Sequence, residues 1–234
     1  VVVLAVLAVL IFVYVIQNVE QPKYTLVEQQ GDIELRDYPA LLVAEVRRDG
    51  SRQQALSAGF GPLARYIFAK ERGGERIAMT APVVQQPVMQ QAAASDGRIA
   101  MTAPVVQQAL DSPSPDGEPG RERAAGWAVR FIMPSAYRLA DLPTPASDDI
   151  TVYEAPPRRI AAIRFSGRTT DALIEEQEQR LRGWLQQQNL KQAAEPIFAY
   201  YNDPFTPGFL RRNEIRIEVE QALGDGPAQD SDAR

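Results

Sequence analysis

An α+β fold, built from two similar halves that share one sheet and preceded by an apolar helix, is the class this sequence predicts. Three observations carry it. Strand, strand, helix, strand occurs in that order twice between about Tyr24 and Glu220. In each half the apolar residues of the helical stretch fall at spacings that line one face. Ahead of both halves, the first sixteen residues contain no charge and no polar amide.

Val1 to Ile16 reads VVVLAVLAVLIFVYVI. As a helix it would reach roughly 24 Å, a little short of a hydrocarbon core of about 30 Å. Apolar residues cover every face, which disfavours a core helix, and no small-x-small cleavage site follows in Gln17-Asn18-Val19-Glu20-Gln21-Pro22. Residues 1–18 are therefore expected to be a single-pass membrane anchor, with a signal-peptide core as the alternative. Lys23 against Glu20 gives orientation only weakly, and a periplasmic domain is the expectation.

From Tyr24 the pattern alternates like a strand. Tyr24–Glu28 and Ile33–Tyr38 flank Gly31-Asp32, which suits a tight turn between two strands. Pro39 interrupts, and Leu41–Val46 reads as a third strand closed by Asp49-Gly50. Ser51 can cap a helix in which Leu56, Phe60, Leu63 and Ile67 share a face, while Gly61-Pro62 should bend or weaken it. Gly73-Gly74 would stop that helix, and Ile77 to Val84 is rich enough in β-branched residues to be a strand. Gln85–Ala94 and Gln107–Gly126 are Gln-, Ala-, Pro-, Ser- and Gly-rich, so insertions at about 85–97 and 107–126 are expected to be flexible. Trp127, Val129, Phe131 and Met133 then face one way along a strand.

The second half repeats the plan. Ile150–Glu154 and Arg159–Phe165 are strands, and Ser166-Gly167 ends the latter. Thr170 can cap a helix carrying Ile174, Leu181, Trp184 and Leu185 inward. Phe198–Tyr201 and Glu214–Val219 supply two more strands, the latter with Ile215, Ile217 and Val219 alternating with charge. A single domain over residues 24–220 follows, with residues 221–234 as a polar, acidic tail.

Composition narrows function by exclusion. The 234 residues contain no cysteine and no histidine. Thiolate metal sites, Ser-His-Asp and Cys-His catalysis, and imidazole as a base or metal ligand are all impossible. No acidic pair is placed by any motif, and a non-enzymatic protein is expected. The formal charge of −5, without a long basic run, argues against a nucleic-acid partner.

One segment is written twice. RIAMTAPVV occupies residues 76–84 and again residues 98–106, an offset of 98 − 76 = 22. Together with the strand Val129–Pro134 and Tyr137, and with Tyr201-Asn202-Asp203-Pro204-Phe205 leading to Arg211-Arg212-Asn213-Glu214, the motif Ile77–Val83 resembles the SOUL family of haem-binding proteins along residues 24–220. That resemblance implies two βαββ-like halves forming a distorted β-barrel with two flanking helices, and a haem or other tetrapyrrole bound near the first helix. Ile77 to Val84 would take the family's strand position. The second copy would be a hairpin partner or insertion beside it, or a recent loop duplication.

The resemblance also implies a site. Asp37, before Tyr38, stands where some members carry a histidine proposed as axial ligand. Arg65, before Tyr66, matches a basic residue of the first helix, and Ser57 replaces a second one. Leu56, Phe60, Leu63 and Ile67, with Arg65 at the edge, would line a groove holding a flat apolar macrocycle, and burial of apolar area needs no metal bond. The bland reading of these four residues is core, of Arg65 a surface charge, and of Asp37 a strand-end charge. The doubled plan is also similar to gyrase-inhibitor-like effector-binding domains, whose acidic pocket residue meets cationic ligands. Glu214 is the candidate there, and other amphipathic small molecules are then the ligand. A third reading is an interaction scaffold whose Gln- and Pro-rich loops serve partners.

Overall fold

The computed structural model describes residues 19–70, 75–88, 126–202 and 206–220. The apolar segment of residues 1–18, the second RIAMTAPVV copy and the tail of residues 221–234 lie outside them. Among the described residues, no helix is long and apolar enough to cross a membrane.

The chain runs β1 (Thr25–Gln30), β2 (Ile33–Tyr38), β3 (Leu41–Arg48), α1 (Arg52–Ile67), β4 (Val83–Val88) and β5 (Gly126–Ile132), then β6 (Thr151–Ala155), β7 (Arg158–Phe165), α2 (Asp171–Gln187), β8 (Ile197–Tyr200) and β9 (Asn213–Glu218). The nine strands among the described residues form one antiparallel sheet in the order β1-β2-β7-β9-β8-β4-β5-β3-β6.

That order has an internal dyad. Reading outward from the central β8–β4 pair, β9-β7-β2 on one side matches β5-β3-β6 on the other, so each half is a ββαββ unit with β1 added at one edge. The first strand of each unit pairs with the other unit: β2 lies against β7, and β6 against β3. Pro39 occupies the crossing from β2 to β3, and Pro156 with Pro157 the crossing from β6 to β7, strands that follow each other in sequence without pairing. β3 and β7 carry the same burial sequence, residue for residue, so the halves agree in packing where their side chains differ.

A closed barrel is not formed. β1 pairs only with β2 and β6 only with β3, and β1 is exposed along its whole length, so the two edges stay apart. The sheet nevertheless encloses one of its faces. Both helices cover the other: α1 packs on β3 and β5, α2 on β7 and β9. Gln85 of β4 and Phe198 of β8 stand opposite each other and point to that same side. On the other side Ile160, Ala162, Val84 and Ala199 are buried although, among the described residues, neither helix packs above them, and the sheet curls around them.

Local signals explain the helices. Ser51 accepts from the Gln54 backbone N–H, and Gln54 answers onto the Ser51 N–H, a capping box. Thr170 caps α2 through the Leu173 N–H. α1 continues through Gly61-Pro62 without interruption, because packing on β3 and β5 holds the turn that lacks one N–H. The helix ends at Ile67, before the expected Gly73-Gly74 stop, with Phe68 as C-cap.

The first RIAMTAPVV copy differs from its expectation. Only Val83 and Val84 belong to β4, and residues 77–82 cross the sheet end irregularly. Pro82 cannot donate to a ladder, and Thr80 spends its hydroxyl on the Ile132 carbonyl. Glu20 forms an isolated bridge with Thr80 and accepts from the Ala81 N–H at 2.9 Å. Conversely, Gln85–Val88, expected to be flexible, continue β4. Gln85 is fully buried, with its amide donating to the Arg52 carbonyl at 2.8 Å. Composition misread these residues because a glutamine that satisfies a buried carbonyl looks like a loop glutamine in sequence.

Candidate functional site

The expected groove under α1 is filled. Leu63 and Ile67 are buried against Val46, Val129 and Phe131, and Leu56 is packed at the edge of the same cluster. Gly59 explains how tightly the helix lies: a Cβ there would meet Val129 at 2.7 Å. Phe60 is 40% exposed, its ring edge-on to Phe131 with centroids 5.3 Å apart. Arg65 is exposed on the outer side of α1. Asp37 belongs to the same unit as α1 but lies on β2, paired with the other unit, in a two-pronged ion pair with Arg159 of β7 at 2.7 and 2.8 Å. That guanidinium holds the Asp37 carboxyl below its usual range. Leu56, Leu63 and Ile67 thus come together, but as core. Asp37 is not among them, because β2 is carried across the dyad to β7.

The curled, helix-free face carries the unusual chemistry. Glu214 of β9 is 1% exposed and accepts from three arginines: Arg36 at 3.0 and 3.2 Å, Arg212 at 2.7 Å, and Arg216 at 3.0 and 2.8 Å. The Tyr201 hydroxyl donates to it as well, at 2.8 Å. Burial opposes ionisation, but the guanidiniums outweigh it and hold the Glu214 carboxyl far below the ordinary carboxylate range. Burial likewise pushes the Tyr201 phenol up. A smaller counterpart lies across the dyad. Glu45 accepts from Arg130 at 2.7 Å, Tyr153 at 2.8 Å and Arg47 at 3.2 Å. Burial is again overcome there, chiefly by Arg130, and the carboxyl is held low. Register makes Arg130 and Arg216 equivalents, since Arg130 stands opposite Glu45 of β3 and Arg216 opposite Ala162 at the matching place on β7.

Glu214 is therefore not a free pocket acid. One carboxylate facing three guanidiniums has nothing left to offer a cation. In sequence, Arg36 and Arg216 alternate with apolar neighbours and look like a solvated face. They are buried because the sheet curls around them, which no local pattern announces. The motif Tyr201 through Glu214 was the one signal, and it marked Tyr201, Arg212 and Glu214 without their roles.

Two spaces adjoin at one end of this face. A cavity of about 520 Å³ is walled by Leu41, Leu42, Ile132, Met133, Pro134 and Leu139, with Tyr137 beside them and Lys23, Arg138, Glu20 and Glu154 also lining it. A pocket of about 20 Å³ lies deeper in the curl, among Arg130, Arg158, Arg216 and Tyr38 on an apolar floor. Leu41 and Ile132 line both. Among the described residues, no group of three or more acidic side chains is placed to hold a metal ion.

The architecture is that of a tandem α+β domain whose two repeats exchange their first strands across one curled sheet. Residues 19–97 and 89–218 each match the model of the SOUL heme-binding protein family, and the chain belongs to that family. No curated protein matches the sequence. Among solved structures, the C-terminal domain of EcmrR is similar at a TM-score of 0.52 and 13% identity, over 85% of this chain and 99% of that one. EcmrR in a complex with DNA gives a TM-score of 0.54 and 11% identity over 81% of this chain, which spans only 57% of the EcmrR chain. A hydrolase from Listeria innocua gives 0.49 at 11% identity over 83% and 94% of the two chains. The two EcmrR comparisons, at identities this low, establish a shared fold and no more.

Proposed function

We propose that this SOUL-family domain is a non-enzymatic binding protein for a flat, largely apolar molecule of the tetrapyrrole class, haem included. The cavity beside Leu41, Ile132 and Leu139 is its seat, and residues 1–18 tether it to a membrane with the domain on the periplasmic side. The cavity is the observation that carries the reading: about 520 Å³ with mainly apolar walls falls within the usual size range of small-molecule sites, about 300–1,000 Å³. The donor set fits a haem only in part. Imidazole ligation is impossible, and Met133, though of an axial-ligand type, is 5% exposed and packed in the core. Leu41, Leu42, Ile132 and Leu139 would hold the ring by burial of apolar area, at roughly 25 cal/mol per Å². A bound haem would supply the family's iron and porphyrin chemistry, while this chain supplies shape and exclusion of water.

Hemin titration of the full chain in detergent, followed by Soret absorbance, tests this. A Soret change at micromolar hemin is expected. It should weaken in Leu139→Glu, which puts a charge into the cavity wall, and be unaffected by Phe60→Glu at the partly exposed flank of α1. No Soret change would remove the proposal, and sensitivity to Phe60→Glu alone would move the site to α1. Quenching of tryptophan fluorescence by tetraphenylphosphonium without any hemin response would favour an amphipathic cation as ligand instead.

A further inference from the structure

We infer that the arginine-lined pocket within the curl is a carboxylate-binding subsite, so that the ligand of the neighbouring cavity is an amphipathic acid, apolar in body and anionic at one edge. This rests on the proposed seat of the ligand and adds its charge. Arg130, Arg158 and Arg216 converge on the pocket from three strands, β5, β7 and β9. Two of the three are already committed: Arg130 to Glu45 and Gln86, Arg216 to Glu214 and Tyr201. Arg158 is different. Its ion-pair partner Glu218 stands 3.7 Å away, and its buried Nε has no hydrogen-bond partner. Burial and the like charges of Arg130 and Arg216 all work against the cationic form of Arg158, while Glu218 supports it.

A buried, under-satisfied N–H of a guanidinium calls for an acceptor, and an anion answers both the missing hydrogen bond and the crowding of positive charge. The space of about 20 Å³ admits one or two atoms and not a ring, which suits a carboxylate oxygen at the end of a short arm. Leu41 and Ile132, shared by both spaces, form the step over which such an arm would reach. Cations are disfavoured here for the reason that Glu214 is already shared by Arg36, Arg212 and Arg216.

The test compares protoporphyrin IX with its dimethyl ester, bodies of the same ring that differ in two carboxylates, on the full chain in one detergent by porphyrin fluorescence. The free acid should bind about tenfold or more tightly than the ester, the usual worth of a hydrogen bond to a charged group. Arg158→Leu should abolish that preference while leaving ester binding unchanged. Arg158→Lys should keep part of it, and Arg180→Leu, on the exposed side of α2 and away from both spaces, should keep all of it. Equal binding of acid and ester by the wild-type chain overturns the subsite and leaves the cavity standing, whether or not any variant folds. Preference retained in Arg158→Leu also overturns it. Binding of neither porphyrin removes the cavity reading and this one together.

Discussion

Removing the carboxylate of Glu214 is the sharpest probe of the helix-free face. Glu214→Ala leaves Arg36 and Arg216, each 5% exposed or less, without the charge that neutralises them. Breaking a buried ion pair from one side costs about 3–5 kcal/mol. That is a large part of the roughly 5–15 kcal/mol that holds a domain folded. Glu214→Gln keeps the volume and one acceptor, but it turns an amide N–H₂ toward guanidiniums that also donate, so it should recover only part of the loss. The two substitutions also carry a pH signature. In the folded state the Glu214 carboxyl titrates far below its unfolded value of about 4.3, so the unfolded chain takes up the proton first. The stability Glu214 contributes is complete above that value and is lost as the pH falls toward the depressed folded one. Urea unfolding followed by the fluorescence of Trp127 and Trp184, at pH 7 and in steps down to about pH 3, reads both effects. The gap between wild type and either variant should be widest at pH 7 and shrink on acidification. A Glu214→Ala chain within about 0.5 kcal/mol of wild type at pH 7 would refute the reasoning, as would a gap that does not change with pH.

Three further outcomes follow from particular contacts. Gly59→Ala should destabilise by about 1–3 kcal/mol in thermal or urea melts, because overpacking against Val129 outweighs the better helix propensity of alanine. Gln85→Ala should cost about 1–3 kcal/mol by removing a fully buried side chain and its hydrogen bond to the Arg52 carbonyl, whereas Gln107→Ala, at the same place in the second copy of the motif, should leave the melt unchanged if the first copy alone fills β4. Asp37→Asn loses a partly exposed pair with Arg159, so a cost of no more than about 1 kcal/mol and an unaltered hemin titration are expected.

The duplicated motif shows where reading the sequence stops. The identity extends two residues beyond the nonamer, through Gln85-Gln86 and Gln107-Gln108, so both copies hold every side chain that β4 uses up to Gln86. Those contacts are the Gln85 bond to Arg52 and the Gln86 bonds to Glu195 and Arg130. Gln85 and Gln86 read as linker because their partners lie in α1, in the segment before β8 and on β5, 33 to 109 residues distant in the chain. The apolar stripe of α1 had the opposite fault. Leu63 and Ile67 were placed correctly on one face, but the face meets β3 and β5 too closely to admit a guest, and Gly59 is the reason.

By itself the sequence determined the elements and their repetition. Ser51 and Thr170 as caps, the Gly31-Asp32 turn, the inward residues Ile174, Leu181, Trp184 and Leu185, and the alternation of Ile215, Ile217 and Val219 all follow from interactions within a few residues. It also settled that no imidazole or thiolate can act here. Only the tertiary structure decided that β2 and β6 trade places across the dyad, that the sheet curls without closing, and that Arg36, Arg158 and Arg216 gather inside the curl. Strand exchange and curvature are set by pairings between residues more than a hundred positions apart, and a charge on an alternating strand looks the same whether its face meets water or another strand's carboxylate.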